Sequence, residues 1–212
     1  MLSYYRTVKD YGEHEIIIQK SRFIAHIARA ETEEEAQQFI QMIKKKHSTA
    51  THNCSAYLIG ENNQIQKAND DGEPSGTAGV PILEVLKKKD LKDTAAVITR
   101  YFGGIKLGAG GLIRAYGKSA SEGIAAAGIV ERRLMRVMHT KVEYTWLGKL
   151  ENELRSSVYP IKEIHYLDSV EFETYAEEGK TAIFSDWMTE LTNGQADISE
   201  GSSLYLEEEV PQ

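Results

Sequence analysis

Residues 100–116 read RYFGGIKLGAGGLIRAY, with five glycines, three cations and no acid. The stretch before them, TAAVITRYF at 94–102, is β-branched and apolar, and the stretch after them keeps helical spacing up to Gly128. A strand must therefore run through a pliable turn into a long helix near 110–127, closed by Gly128 as a C-terminal glycine cap. That junction confines the chain to folds in which helices lie on a sheet.

The rest of the first half extends the same pattern. Strands are predicted at 15–19 (EIIIQ), 22–29 (RFIAHIAR) and 53–60 (NCSAYLIG), with a helix from about Pro81 to Lys89. Another helix opens at Thr32, where Glu35 stands three residues on as a capping box and Ala36, Phe39, Ile40 and Ile43 share one face. Residues 61–79 are polar and turn-rich. The second half predicts strand 135–145, helix 147–158, strands 161–167 and 169–176, helix 180–193 and strand 203–209. That βαββαβ order is a split, ferredoxin-like unit. The expectation is an α+β chain of two domains, 1–133 and 134–212.

Charge divides along the same line. The net charge is −7, but residues 140–212 hold 5 Lys and Arg against 16 Asp and Glu, which leaves the first 139 residues mildly positive. A polyanionic partner thus suits only the first half. The N-terminus lacks an apolar leader core, and no window approaches the length of a membrane helix, so the expected location is cytoplasmic, away from membranes. Cys54 is the single cysteine, which excludes an intrachain disulfide and a multi-cysteine zinc site.

Residues 94–121 contain four cations, Arg100, Lys106, Arg114 and Lys118, and no acid. Arg114 and Lys118 lie four apart on one helix face, in early turns where the helix dipole disfavours positive charge. Cations so placed imply an anion nearby. The glycine loop, with Gly103, Gly104, Gly108, Gly110 and Gly111, would let backbone amides approach a phosphate. Known nucleotide fingerprints fail, because Gly108 is followed by Ala109 and Gly110 rather than Lys and Ser/Thr, and Ile113 occupies the place of the third dinucleotide glycine.

The segment NDDGEPSGTAG at 69–79 offers an internal anion in Asp70, Asp71 and Glu73, with Ser75 or Thr77 as caps for the next helix. Its carboxylates suit pairing with Arg100, Lys106 or Arg114 across a cleft; the spacing is not that of an EF-hand, and no metal or other cofactor is expected. Catalysis has weak support. Ser75 lacks the first glycine of a nucleophile elbow. Cys54 alternates with Ala56 and Leu58 and should face the core, with Ser55 and Tyr57 outward and His52 on the cysteine's side. The histidines 14, 26, 47, 139 and 165 show no ligand spacing.

DDGEPSGTAGVPIL at 70–83 together with VITRYFGGIKLGAGGLIRAY at 97–116 resembles the signature of the YigZ/IMPACT family. The resemblance covers the whole chain, with an IMPACT-type domain over roughly 1–130 and the second domain of bacterial YigZ-type members after it. It implies an N-terminal fold like the second domain of a small-subunit ribosomal protein, with a left-handed βαβ unit, and a C-terminal fold like domain V of elongation factor G. The extra RWD domain through which eukaryotic members restrain a translation-control kinase has no counterpart in these residues. The expected function is ribosome or RNA association in translation control, without chemistry of its own. The alternatives are an enzyme on a small phosphorylated substrate, with Asp70, Asp71 and Glu73 as metal ligands or base, and a protein–protein adaptor for a ribosomal or regulatory protein.

Overall fold

The computed structural model describes residues 1–210. They divide into two compact units. One holds Tyr5–Arg132 with the described residues from Glu208 on, and the other holds Met1–Tyr4 with Arg133–Glu207.

In the first unit the order is β1 (Tyr4–Val8), β2 (Gly12–Ile18), β3 (Ser21–Arg29), α1 (Glu33–Lys46), β4 (His52–Ile59), β5 (Ile65–Asn69), α2 (Gly79–Lys88), β6 (Thr94–Tyr101) and α3 (Gly108–Ala127). Strands β2-β3-β6-β4-β5 form one sheet in which every neighbouring pair is antiparallel. Because β3 and β4 both flank β6 and oppose it, they run parallel to each other, and α1 carries the crossover between them.

Helix α1 starts where the sequence places it. The Thr32 hydroxyl accepts the Glu35 amide at 3.2 Å, while the Glu35 carboxylate reaches past the cap to the Glu31 amide at 2.8 Å. Its buried residues Ala36, Phe39, Ile40 and Ile43 pack on Tyr57, Ile59, Ala95 and Val97. Helices α2 and α3 cover the opposite sheet face, where Phe23, Ala25, Ile27, Cys54, Ala56, Leu58 and Ile98 meet Ile82, Leu86, Tyr116 and Ile124. Strand β4 is therefore sandwiched between helical layers. Cys54 is in the core as expected, but Ser55 and Tyr57 face the α1 layer, buried, rather than solvent.

The second unit comprises most of β7 (Ile129–Val142), then α4 (Leu147–Arg155), β8 (Ile161–Tyr166), β9 (Val170–Glu177), α5 (Thr181–Leu191) and most of β10 (Asp197–Glu209). Along the sheet they run β8-β9-β7-β10, with the fourth strand of the unit beside its first, as in a split βαβ unit. Helices α4 and α5 bury Leu150, Leu154, Phe184 and Met188 against Met138, Val142, Val170, Phe172 and Ala176 on one face. No helix among the described residues is long and apolar enough to cross a membrane.

Candidate functional site

The acidic segment before α2 works as a set of internal ties. Asp70 accepts the amides of Gly76, Ala78 and Gly79 at 2.8, 3.0 and 2.8 Å. Burial opposes its charge, but these three amides prevail and hold its pKa below the usual value. Asp70 thus caps α2 from outside, in place of Ser75 or Thr77. Ser75 is exposed, and the Thr77 hydroxyl donates to the Pro74 carbonyl at 2.6 Å. Asp71, at φ +46°, takes the Asn53 amide at 2.6 Å and the Lys44 ammonium at 2.6 Å, while its carbonyl accepts His52 Nδ1 at 2.8 Å.

Glu73 joins the two motifs. Its Oε1 accepts Arg100 Nη1 at 2.6 Å and the Tyr116 hydroxyl at 2.8 Å, and its Oε2 lies 3.8 Å from His52 Nε2. Arg100 also sits over the rings of Phe23 and Phe102, at 5.3 and 5.4 Å from their centroids. The Cys54 thiol lies 3.0 Å from the Asp70 carbonyl and 3.3 Å from the Tyr116 hydroxyl. Burial, the leading cause, pushes this thiol up to about 12 and drives the Tyr116 hydroxyl upward too. These groups form a buried polar knot. Arg100, read from sequence as a ligand-facing cation, is committed inside it, and a nucleophilic cysteine is not what a thiol so disfavoured as thiolate provides. The three carboxylates diverge onto separate partners, Asp70 onto the amides before α2, Asp71 onto Lys44 and Asn53, and Glu73 onto Arg100 and Tyr116.

The glycine loop sits above this knot. Gly103 donates its amide to the Ser21 hydroxyl at 3.1 Å, and it packs so closely on the Lys20 and Ser21 backbone that a Cβ has no room. Gly104 and Gly108 take φ of +85° and +69°, with open space around the position of a Cβ. Gly110 and Gly111 are different. They lie inside the first turn of α3, and neither takes a positive φ. No side chain caps α3. Lys106, Arg114 and Lys118 are exposed, and among the described residues they form no hydrogen bond or ion pair. The expected pairing of the acidic segment with the cations therefore holds for Arg100 alone, as a buried contact and not across an open cleft.

Two histidine clusters are hidden in the linear pattern. His26, wholly buried, meets the Tyr11 hydroxyl at 2.8 Å, and its ring lies tilted with its centroid 4.9 Å from that of His47, which meets the Tyr101 hydroxyl at 3.0 Å. In the second unit, His139 and His165 each come within 4.0 Å of Glu173, so ligand-spaced groups exist after all. Sheet pairing brings them together, which linear spacing does not reveal; alternating His and Glu on predicted strands is the signal available.

The Impact N-terminal domain model matches residues 19–124, and the model of a domain of unknown function (DUF1949) matches residues 140–195. The chain is 71% identical over 210 residues to IMPACT family member YvyE of Bacillus subtilis, covering 99% of this chain and 97% of that protein. It is 31% identical over 183 residues to IMPACT family member YigZ of Escherichia coli, covering 85% and 90% respectively. A solved structure described as that of a hypothetical protein aligns with a TM-score of 0.61 and 28% identity, over 93% of this chain and 97% of the other.

Proposed function

The chain belongs to the IMPACT family, and from that premise we propose that it acts in translation control by holding a phosphate-bearing partner, RNA or a ribosomal site, at the start of α3. Family membership supports the role in translation control. One structural observation carries the binding reading: exposed, unpaired Lys106 lies just before the uncapped, glycine-rich start of α3 at Gly108, and exposed, unpaired Arg114 and Lys118 follow on its second and third turns. Free amides at such a start favour an anion, and glycine leaves the backbone open to it. Exposed Phe102, Ile105 and Ile113 in the same segment add apolar surface on which a base can rest. The buried knot beneath provides rigidity. Its Cys54 thiol is held protonated by burial, which weighs against a cysteine-nucleophile form of the enzyme reading.

The test is the Lys106→Gln, Arg114→Gln double variant, with binding to RNA and to ribosomes measured at several salt concentrations. Binding should weaken, and the log–log salt slope should fall in magnitude by about 0.7–0.9 for each phosphate that the variant no longer neutralises. The urea midpoint should stay put, since neither side chain is buried or paired. Binding equal to the parent's at every salt concentration would refute the reading.

A further inference from the structure

On the sheet face opposite α4 and α5, β9 alternates half-buried Glu171, Glu173 and Tyr175 with buried Val170, Phe172 and Thr174. The register sets His139 of β7 and Glu163 of β8 on either side of Glu173, with Lys141 and His165 on either side of Glu171. His139 Nδ1 lies 2.7 Å from Glu171 Oε1 and 4.0 Å from Glu173 Oε1. His165 Nε2 lies 3.0 Å from Glu173 Oε1 and 3.9 Å from Glu163 Oε2. In each of the triads His139, Glu171, Glu173 and Glu163, His165, Glu173, the potential ligand atoms lie within 4.8 Å of one another.

Two further observations separate this cluster from an incidental acidic patch. Glu163 and Glu173 are direct cross-strand partners, an arrangement that destabilises a sheet unless a cation intervenes. Lys162, at the β8 register shift, reaches Glu173 Oε2 at 2.5 Å and only partly meets that need, leaving Oε1 to the histidines. In addition, Gly201 of β10 packs against His139 Nε2 so closely that a Cβ there would come within 2.5 Å of it. The imidazole is thereby held with Nδ1 toward the carboxylates. An imidazole nitrogen with two carboxylate oxygens is a donor set of zinc type. Bonds of about 2.0–2.2 Å would place tetrahedral ligand atoms roughly 3.3 Å apart, and the His139 separations of 2.7 and 4.0 Å bracket that value.

We propose that His139, Glu171 and Glu173 form a binding site for one divalent transition-metal ion of zinc type on the second unit. The His165 triad shares Glu173 but is the more open of the two, Glu163 being 60% exposed, and it supports Glu173 without ligating the ion.

Competition of the full chain with a chromophoric chelator for Zn²⁺, in excess Mg²⁺, tests this. One equivalent should bind. His139→Gln should lower the affinity at least tenfold, with circular dichroism reporting a retained fold, while His165→Gln should stay within about threefold of the parent. No Zn²⁺ binding by the parent, parent-like binding by His139→Gln, or loss of binding in His165→Gln alone would each overturn the assignment.

Discussion

The Arg100 guanidinium meets the Glu73 carboxylate at 2.6 Å with both side chains almost wholly buried, and this contact joins the two most distinctive motifs of the chain. Removing one partner leaves a buried charge uncompensated, at a cost of about 3–5 kcal/mol. Glu73→Gln and Arg100→Met should each lower stability by that order in urea unfolding. The double variant should lose clearly less than the sum of the two. An additive double variant would show that the pair is not coupled.

Gly103 and Gly110 should respond in opposite directions to alanine. At Gly103 a Cβ would collide with the Lys20 backbone, whereas at Gly110 it would rest 3.6 Å from the tip of Arg114. Gly103→Ala should destabilise by about 1–3 kcal/mol. Gly110→Ala, inside a helix, should stabilise by up to about 1 kcal/mol. Thermal midpoints decide between this and equal effects, which would place the two glycines in one structural class.

Cys54 should resist thiol reagents in the native state. Its thiol is fully buried and its pKa is pushed up to about 12, chiefly by burial, so almost no thiolate exists at pH 8. Modification should proceed only as fast as the chain unfolds, and quickly in urea. Cys54→Ala should cost about 1 kcal/mol and leave binding intact. Rapid native-state labelling would contradict this geometry.

Acid should weaken the first unit through His26. Burial lowers its pKa from the ordinary value of 6.5 to about 4, against the pull of nearby Glu13. Between those values the unfolded chain binds the proton and the folded chain does not, so stability falls as pH drops through the window. The decrease is about 2 kcal/mol at pH 5 relative to pH 7. His47, also lowered mainly by burial, acts in the same direction. Glu13, held at about 2 by hydrogen bonds from Tyr11 and Lys46, stays charged throughout and does not cancel the effect. Urea midpoints at pH 7 and 5 should show the slope, and His26→Gln should flatten it.

Helix signals are the most legible features of the chain. Thr32 with Glu35, the apolar face of α1 and Gly128 after α3 are local and can be read directly from neighbouring residues. The βαββαβ order of the second half is equally plain. Strand β5, reading IQKAN, passes for loop because an edge strand with polar side chains lacks alternation. Strand β1 gives no clear signal either. For Ser55 and Tyr57 the sequence suggests the wrong surroundings, because alternation implies a solvated face and β4 has none. At the site, the partnership of Glu73 with Arg100 is foreseeable from charge alone. Its burial is not, since that depends on Phe23, Tyr116 and Ser21 arriving from elsewhere in the chain.

Strand β5 closes one border of the first unit's sheet with only five residues, and its Lys67 is tied to Glu33 of α1 at 2.7 Å. A border so short and polar, with a lysine held beside it, is a poor template for another chain's backbone. Crowded, partly unfolded molecules thus meet an obstacle to strand-by-strand aggregation, built from the same residues that make β5 hard to recognise.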